Sequence, residues 1–219
     1  MTDFTVHSIP GSPFGRSVLA ALEEKGAHYT FSPVGPGNFK TEPHISRHPF
    51  GRVPVLDHGD YRLYETQAIL RYLDRVLPTP PLTPTDPRAA GRMDQAMNIS
   101  DWYLFQGCSA VIGFQRVVGP RLMGMKPDEA AIEAAMPRAR QVFAELGRLL
   151  GEQAWFVGDA LSLADLMIAP QLDFFAMTPE WNPLTAGAPN LVAWLDRMNA
   201  RKSFQVTTWD AVAEMAKAA

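Results

Sequence analysis

Two short stretches carry residue types that could do chemistry at a bound ligand. In SIPGSPFGRSVLAALEEKG, residues 8–26, an extended segment breaks at Pro10-Gly11, and a helix with an apolar stripe starts at Ser12-Pro13 and runs to Gly26. A serine before a proline is the expected opening of a helix: the hydroxyl caps a free N–H, and proline lacks only a donor that has no partner there. The same hydroxyl can instead hold something bound at the helix end, and both readings stay open on these residues alone. In HPFGRVPVLDHGDYRLYETQAI, Val53-Pro54 stands at the mouth of a strand, where proline harms pairing. A fixed bend, of the kind a cis bond makes, would turn the Val53 N–H and C=O outward. Glu65-Thr66 then opens a helix, and a helix start is a ready site for a ligand carboxylate.

Other chemistries find less support. Gly11–Ser17 lacks the Gly-Lys-Ser/Thr ending and the spacer of a phosphate loop. No Cys-x-x-Cys spacing exists, and the one His-x-x-x-His spacing, His44 with His48 on a short helix, reads as a solvated face, so no metal is expected. No base is visible beside Ser12 to activate it as a hydrolytic nucleophile. Ser162 and Asp165 have capping-box spacing and read as structural. Arg16, one turn beyond Ser12, reads as a surface ion-pair residue.

The elements that must position these residues fall into two groups. Residues 1–77 alternate strand, helix, strand, short helix, hairpin and helix: FTVHSI and HYTFSPV read as strands, RSVLAALEEKG as a helix, RVPVLDHGDYRLYE as a hairpin turning at His58-Gly59-Asp60, and TQAILRYLDRVL as a further helix. Residues 78–87, PTPPLTPTDP, hold five prolines in ten positions, which neither continue a helix nor pair in a sheet, and so read as a stiff linker. Residues 88–219 show helical patterns alone, over 88–118, 127–151, 162–176, 189–200 and 203–217. A small α/β domain followed by a larger all-α domain is expected.

The 219 residues, 47% hydrophobic, suffice for a large core in one or two domains. A net charge of −3 without a basic run argues against nucleic acid or an anionic membrane surface as partner. The single cysteine, Cys108, excludes an internal disulfide and reads as an ordinary buried thiol. With no leader pattern and no long apolar run, a soluble, cytoplasmic protein is expected.

Taken in order around the proline-rich stretch, SPFGRSVLAALEEK, EPHISRHPFGRVPVLDHGDYRLYETQAI, VIGFQRVVGPRLMG and FVGDALSLADLMIAP resemble a glutathione transferase, and most of all the phi class. The resemblance spans nearly the whole chain. It implies a thioredoxin-like N-terminal domain, an all-α C-terminal domain, a homodimer and glutathione as co-substrate. It further implies that Ser12 faces the glutathione sulfur and that the Val53 backbone pairs with the cysteinyl part. Glu65 and Thr66 would hold the γ-glutamyl amine and carboxylate, Lys40 would approach the glycyl carboxylate, and Phe50 would be the aromatic key inserted into the partner subunit. Two positions depart from the family: Phe39 stands where a His is usual, and Arg52 where Gln or Lys is common. Arg52 keeps a cation able to meet a carboxylate bidentately, whereas Phe39 supplies none.

Members of the family add glutathione thiolate to electrophiles, and some reduce organic peroxides. For this chain the electrophile pocket is expected between the domains, with Phe14, Phe39, Trp102, Tyr103, Phe105 and Phe114 as its apolar lining. Two alternatives remain at this point: a glutathione-dependent thiol oxidoreductase or dehalogenase-like relative, which Ser12 in place of cysteine disfavours, and a transferase-like binding or regulatory protein without catalysis.

Overall fold

The computed structural model describes residues 4–218. They form two compact units, one from Met1–Pro81 with Asn199–Ala219 and one from Leu82–Met198. The first unit is built on β1 (Phe4–Ser8), α1 (Pro13–Glu24), β2 (Tyr29–Pro33), α2 (His44–Arg47), β3 (Val55–His58), β4 (Tyr61–Tyr64) and α3 (Thr66–Val76). The strands form one sheet in the order β2-β1-β3-β4, with β1 parallel to β2 and the other pairs antiparallel. Val6, Leu56 and Val55 from the sheet and Leu19, Leu22, Ile69, Leu70 and Leu73 from the helices are buried, as their spacing predicts. Lys25, at the end of α1, is buried and donates to Asp74 at 2.5 Å and to the carbonyl of Pro80, tying the start of the proline-rich stretch to α1.

The second unit is helical: α4 (Pro87–Ile99), a π-helix (Ser100–Val118), α5 (Gly119–Met123), α6 (Glu129–Leu150), α7 (Leu163–Ala176), α8 (Trp181–Thr185) and α9 (Pro189–Asn199), whose last residue is assigned to the first unit. The single α-helix expected over 88–118 is therefore half correct. In an α-helix Ser100 and Ser109 would face opposite ways, nine residues being about two and a half turns. The wider winding of a π-helix, with its i→i+5 bonds, returns them to one face. There both bond the buried Gln171 of α7: its amide nitrogen donates to Ser100 Oγ at 2.7 Å, and Ser109 Oγ donates to its oxygen at 3.0 Å. Asp165 of the expected capping box accepts from the Ser162 N–H, the Ser162 hydroxyl, the Phe156 N–H and the Trp194 indole, each within 3.0 Å.

The end of the chain differs from expectation. Residues 203–217 are not one helix but α10 (Lys202–Gln205) and α11 (Trp209–Ala218), with Thr208 Oγ1 accepting from Ala211 N at 3.2 Å to start the second. Both pack with the first unit. No helix among the described residues is long and apolar enough to cross a membrane.

Candidate functional site

The register of the sheet brings the candidate residues of the first unit to one of its ends. Val34 donates to the Ser8 carbonyl beyond the parallel β1–β2 pair, so the chain leaves β2 toward Phe39 and Lys40 at the end where β1 leads to Ser12. His7 of β1 lies opposite Val55, the first residue of β3, and Val55 lies opposite Tyr64, the last residue of β4. Val53 and Glu65 therefore emerge at that same end.

Ser12 caps α1. Its backbone is extended, its Oγ accepts from Gly15 N at 3.0 Å, and Pro13 follows at the first helical position. Its N–H donates to the Ile9 carbonyl at 3.1 Å, closing the Pro10-Gly11 turn. The cap uses an Oγ lone pair; the hydroxyl hydrogen is a separate resource. No acidic residue stands in the first turn of α1 to offset the positive end of the helix. Gly11 holds a φ of +83°, and a Cβ there would lie 2.5 Å from the ring of Trp209, so the α11 indole rests directly on the turn.

The loop before β3 is joined to the loop after β2 at Gly51. That glycine has a φ of +60°, and a Cβ on it would lie 2.8 Å from the Phe39 carbonyl oxygen and 3.1 Å from Lys40 Cγ. Lys40 and Arg52, both exposed, are thereby held on adjoining segments. His44 and His48 are not a solvated face: each is only 2% exposed. His44 Nε2 bonds the Arg52 carbonyl at 2.8 Å, and the His48 ring lies 4.6 Å from that of Tyr64. Burial depresses the His48 pKa, against a partial upward pull from Glu65. The Val53–Pro54 peptide is cis, and β3 begins only at Val55, which leaves the Val53 N–H and C=O ahead of the ladder. Phe50 is 68% exposed at the tip of this loop.

Glu65 is the one non-glycine among the described residues with a positive φ, at +72°. It precedes Thr66, which is buried at the first position of α3. Side chains complete the N-termini of α1, α4, α6 and α7, but none caps α3. The site thus offers a hydroxyl at one helix start, an uncapped second helix start, two exposed cations, one exposed carboxylate and a peptide edge.

The aromatic candidates divide between the units. Phe14 and Phe39 belong to the first and are half-buried. Trp102 and Tyr103, on the π-helix, are exposed; the Arg138 guanidinium lies 5.0 Å from the Tyr103 ring. Phe105 and Phe114 are half-buried. Cys108 is fully buried, donates to the Tyr103 carbonyl at 3.5 Å, and has its thiol pKa pushed up to about 12 by burial. No group of three or more His, Cys, Asp or Glu among the described residues is arranged to hold a metal ion.

Three residues near the site escape the sequence reading. Arg16 is not on the surface: it is 8% exposed, donates to the Phe204 carbonyl at 3.1 Å and lies 4.8 Å from that ring. His44 and Trp209 carry no local signal, since their partners lie on other segments.

A four-stranded mixed sheet with helices, followed by a helical unit, is the fold of the glutathione transferases. The family model for the glutathione S-transferase N-terminal domain matches residues 2–75, and that for the C-terminal domain matches residues 108–202. A probable glutathione S-transferase GSTF2 of Oryza sativa subsp. japonica is 30% identical over 189 residues, covering 85% of this chain and 87% of that protein. Glutathione S-transferase F6 of Arabidopsis thaliana is 30% identical over 216 residues, covering 94% and 99%. Among solved structures, the theta-class glutathione S-transferase of Xanthomonas axonopodis pv. citri, with glutathione bound, superposes with a TM-score of 0.84 at 25% identity over 95% of this chain and 98% of its own. The chain belongs to the glutathione S-transferase family, with phi-class proteins among the relatives it matches.

Proposed function

We propose that this protein is a glutathione transferase that adds the thiolate of glutathione to hydrophobic electrophiles. The observation that carries the reading is the gathering, at one end of one sheet, of charges complementary to those of the tripeptide. Lys40 and Arg52 suit the glycyl carboxylate, and the uncapped α3 terminus with Thr66 suits the γ-glutamyl carboxylate. Glu65 suits the γ-glutamyl ammonium, and the Val53 peptide edge suits the cysteinyl backbone between them. The positive φ of Glu65 is strain of the kind that persists where a side chain must point at a ligand.

Ser12 supplies the activating group. Its lone pair holds α1 while its hydroxyl hydrogen turns to the sulfur, so capping and catalysis are compatible in one side chain. A free thiol with a pKa near 8.5 is roughly 3% ionised at pH 7. A hydrogen bond to an anion contributes about 1.5–3 kcal/mol, which lowers that pKa by about one to two units. The thiolate fraction rises to roughly a quarter to three quarters, and the positive end of α1 acts in the same direction. The serine stays protonated throughout, so no base is required beside it. The thiol proton passes to solvent water, and the sulfur bonds to the electrophilic carbon as a leaving group departs with its electron pair or, in an addition, as the adjacent π bond opens and is protonated by water. Phe14 and Phe39, half-buried in the first unit, are the proposed apolar residues on the side that receives the electrophile.

A protein-thiol oxidoreductase fits poorly, because position 12 carries a hydroxyl and Cys108 is buried with a raised pKa. Phe50, exposed on the loop that holds Arg52, is the proposed anchor of a homodimer. The deciding experiment combines calorimetric titration with glutathione and conjugation of a generic aromatic electrophile. Binding with turnover well above the uncatalysed rate is expected. Binding without turnover would make the protein a carrier, and no binding at millimolar glutathione would overturn the reading altogether.

A further inference from the structure

We propose that residues 199–218 form a positioning strap for Ser12, acting through Trp209; the proposal rests on the glutathione reading of Ser12. The strap is fastened at both ends of α1. At the C-terminal end, Arg201 donates to Glu24 through Nε at 2.6 Å and Nη2 at 2.7 Å, and Ser203 Oγ donates to the same carboxylate at 2.5 Å. At the N-terminal end, one turn from Ser12, the Arg16 guanidinium reaches the Phe204 carbonyl and stacks on its ring. A cation this buried is held by such partners, not by water.

Beyond Phe204 the Thr207 hydroxyl bonds the Ser203 carbonyl at 2.6 Å, and Thr208 caps α11, so Trp209 is presented from a fixed helix start. Its ring lies so close to Gly11 that a Cβ there would be 2.5–2.6 Å from three ring carbons. Gly11 is the residue before Ser12, in the turn closed by the Ser12 N–H on Ile9. The ring thus sets the height of the backbone that carries the hydroxyl, and through it the length of the O–H···S bond. Displacements well below 1 Å matter to such a bond, since a shift of about 1 Å in a reacting group can cost roughly a hundredfold. Trp209 acts on the turn that carries Ser12. It is a positioning residue.

The test is the pH–rate profile of glutathione conjugation for the parent, Ser12→Gly, Trp209→Ala and Trp209→Phe, alongside calorimetric glutathione binding. Trp209→Ala should raise the apparent pKa of bound glutathione by about one unit and lower conjugation at pH 6.5 roughly five- to tenfold. Its glutathione affinity should change less than about twofold, because the carboxylate-holding residues sit on other loops. Trp209→Phe should restore most of the profile. A folded Trp209→Ala protein with the parent's profile overturns the strap. Should that variant fail to fold, Arg201→Gln, which loosens the far fastening, must shift the profile in the same direction by a smaller amount; an unshifted profile overturns the proposal equally. An inactive parent, or an unshifted Ser12→Gly, would instead overturn the glutathione reading itself.

Discussion

Replacing Glu65 by glycine separates strain from binding at the α3 terminus. Glu65 holds a φ of +72° and a ψ of 114°, outside the regions that side-chain-bearing residues favour. Such a residue costs about 1–3 kcal/mol, and glycine occupies the same conformation freely while losing about 0.5–1 kcal/mol through the entropy of the unfolded chain. The net effect on stability is between about zero and 2.5 kcal/mol in favour of the variant. In a chain of this size that corresponds to a melting temperature unchanged or raised by up to about 10 °C. The lost carboxylate removes a charge-assisted bond of about 1.5–3 kcal/mol to the γ-glutamyl ammonium, so the dissociation constant of glutathione should rise about ten- to 150-fold, nearer the lower figure at this exposed position. If Glu65 holds the γ-glutamyl end of the tripeptide, far from the sulfur, as proposed, KM for glutathione should rise while kcat changes much less. Glu65→Ala should share the binding defect without the gain in stability. Thermal melts, calorimetry and steady-state kinetics on the two variants decide the matter. A Glu65→Gly protein that melts about 4 °C or more below the parent, with unchanged glutathione affinity, would refute the reasoning and make Glu65 a structural residue.

Two further outcomes follow from the same geometry. Truncating a buried aromatic anchor typically costs about 2 kcal/mol or more, so Phe50→Ala should raise the dimer dissociation constant at least roughly thirtyfold; sedimentation giving the same concentration-independent mass for both forms at low micromolar protein would count against it. Burial alone would raise the Glu24 carboxyl above its ordinary value of 4.5, but hydrogen bonds from Arg201 and Ser203 outweigh burial and hold it lower. Its contribution to stability is therefore complete above about pH 4.5 and is lost as pH falls through the depressed value. Glu24→Gln should flatten the acid limb of a stability–pH curve below that pH, and a limb as steep as the parent's would contradict the assignment.

Most of the first unit was legible because local patterns and turn residues agreed with the fold. The alternation in the 52–65 hairpin, the glycine stop of α1 and the apolar face of α3 each fixed an element to within a few residues. What failed depended on distant partners. Arg16 looks like a surface cation until Phe204, 188 residues away, closes over it. His44 and His48 look solvated until the Arg52 carbonyl and the Tyr64 ring cover them. The π-winding of Ser100–Val118 is invisible to a 3.6-residue template, because the buried positions Ser100, Leu104, Cys108–Ser109 and Ile112–Gly113 recur every four to five residues and answer to Gln171 on another helix. At the site, Ser12 and Glu65-Thr66 were marked by their places at helix starts. Trp209 was not, since its reason for being there is the missing Cβ of Gly11.

The most direct test of the central claim, that the Ser12 hydroxyl stabilises a thiolate while capping α1, is the pH–rate profile of Ser12→Gly. Glycine in place of a capping serine costs only a few tenths of a kcal/mol, so the melting temperature should hardly move. The apparent pKa of bound glutathione should rise by about one to two units, conjugation at pH 6.5 should fall about tenfold or more, and raising the pH should recover much of the lost rate. A well-folded Ser12→Gly protein with the parent's pH profile would contradict the claim and leave Ser12 as a helix cap alone.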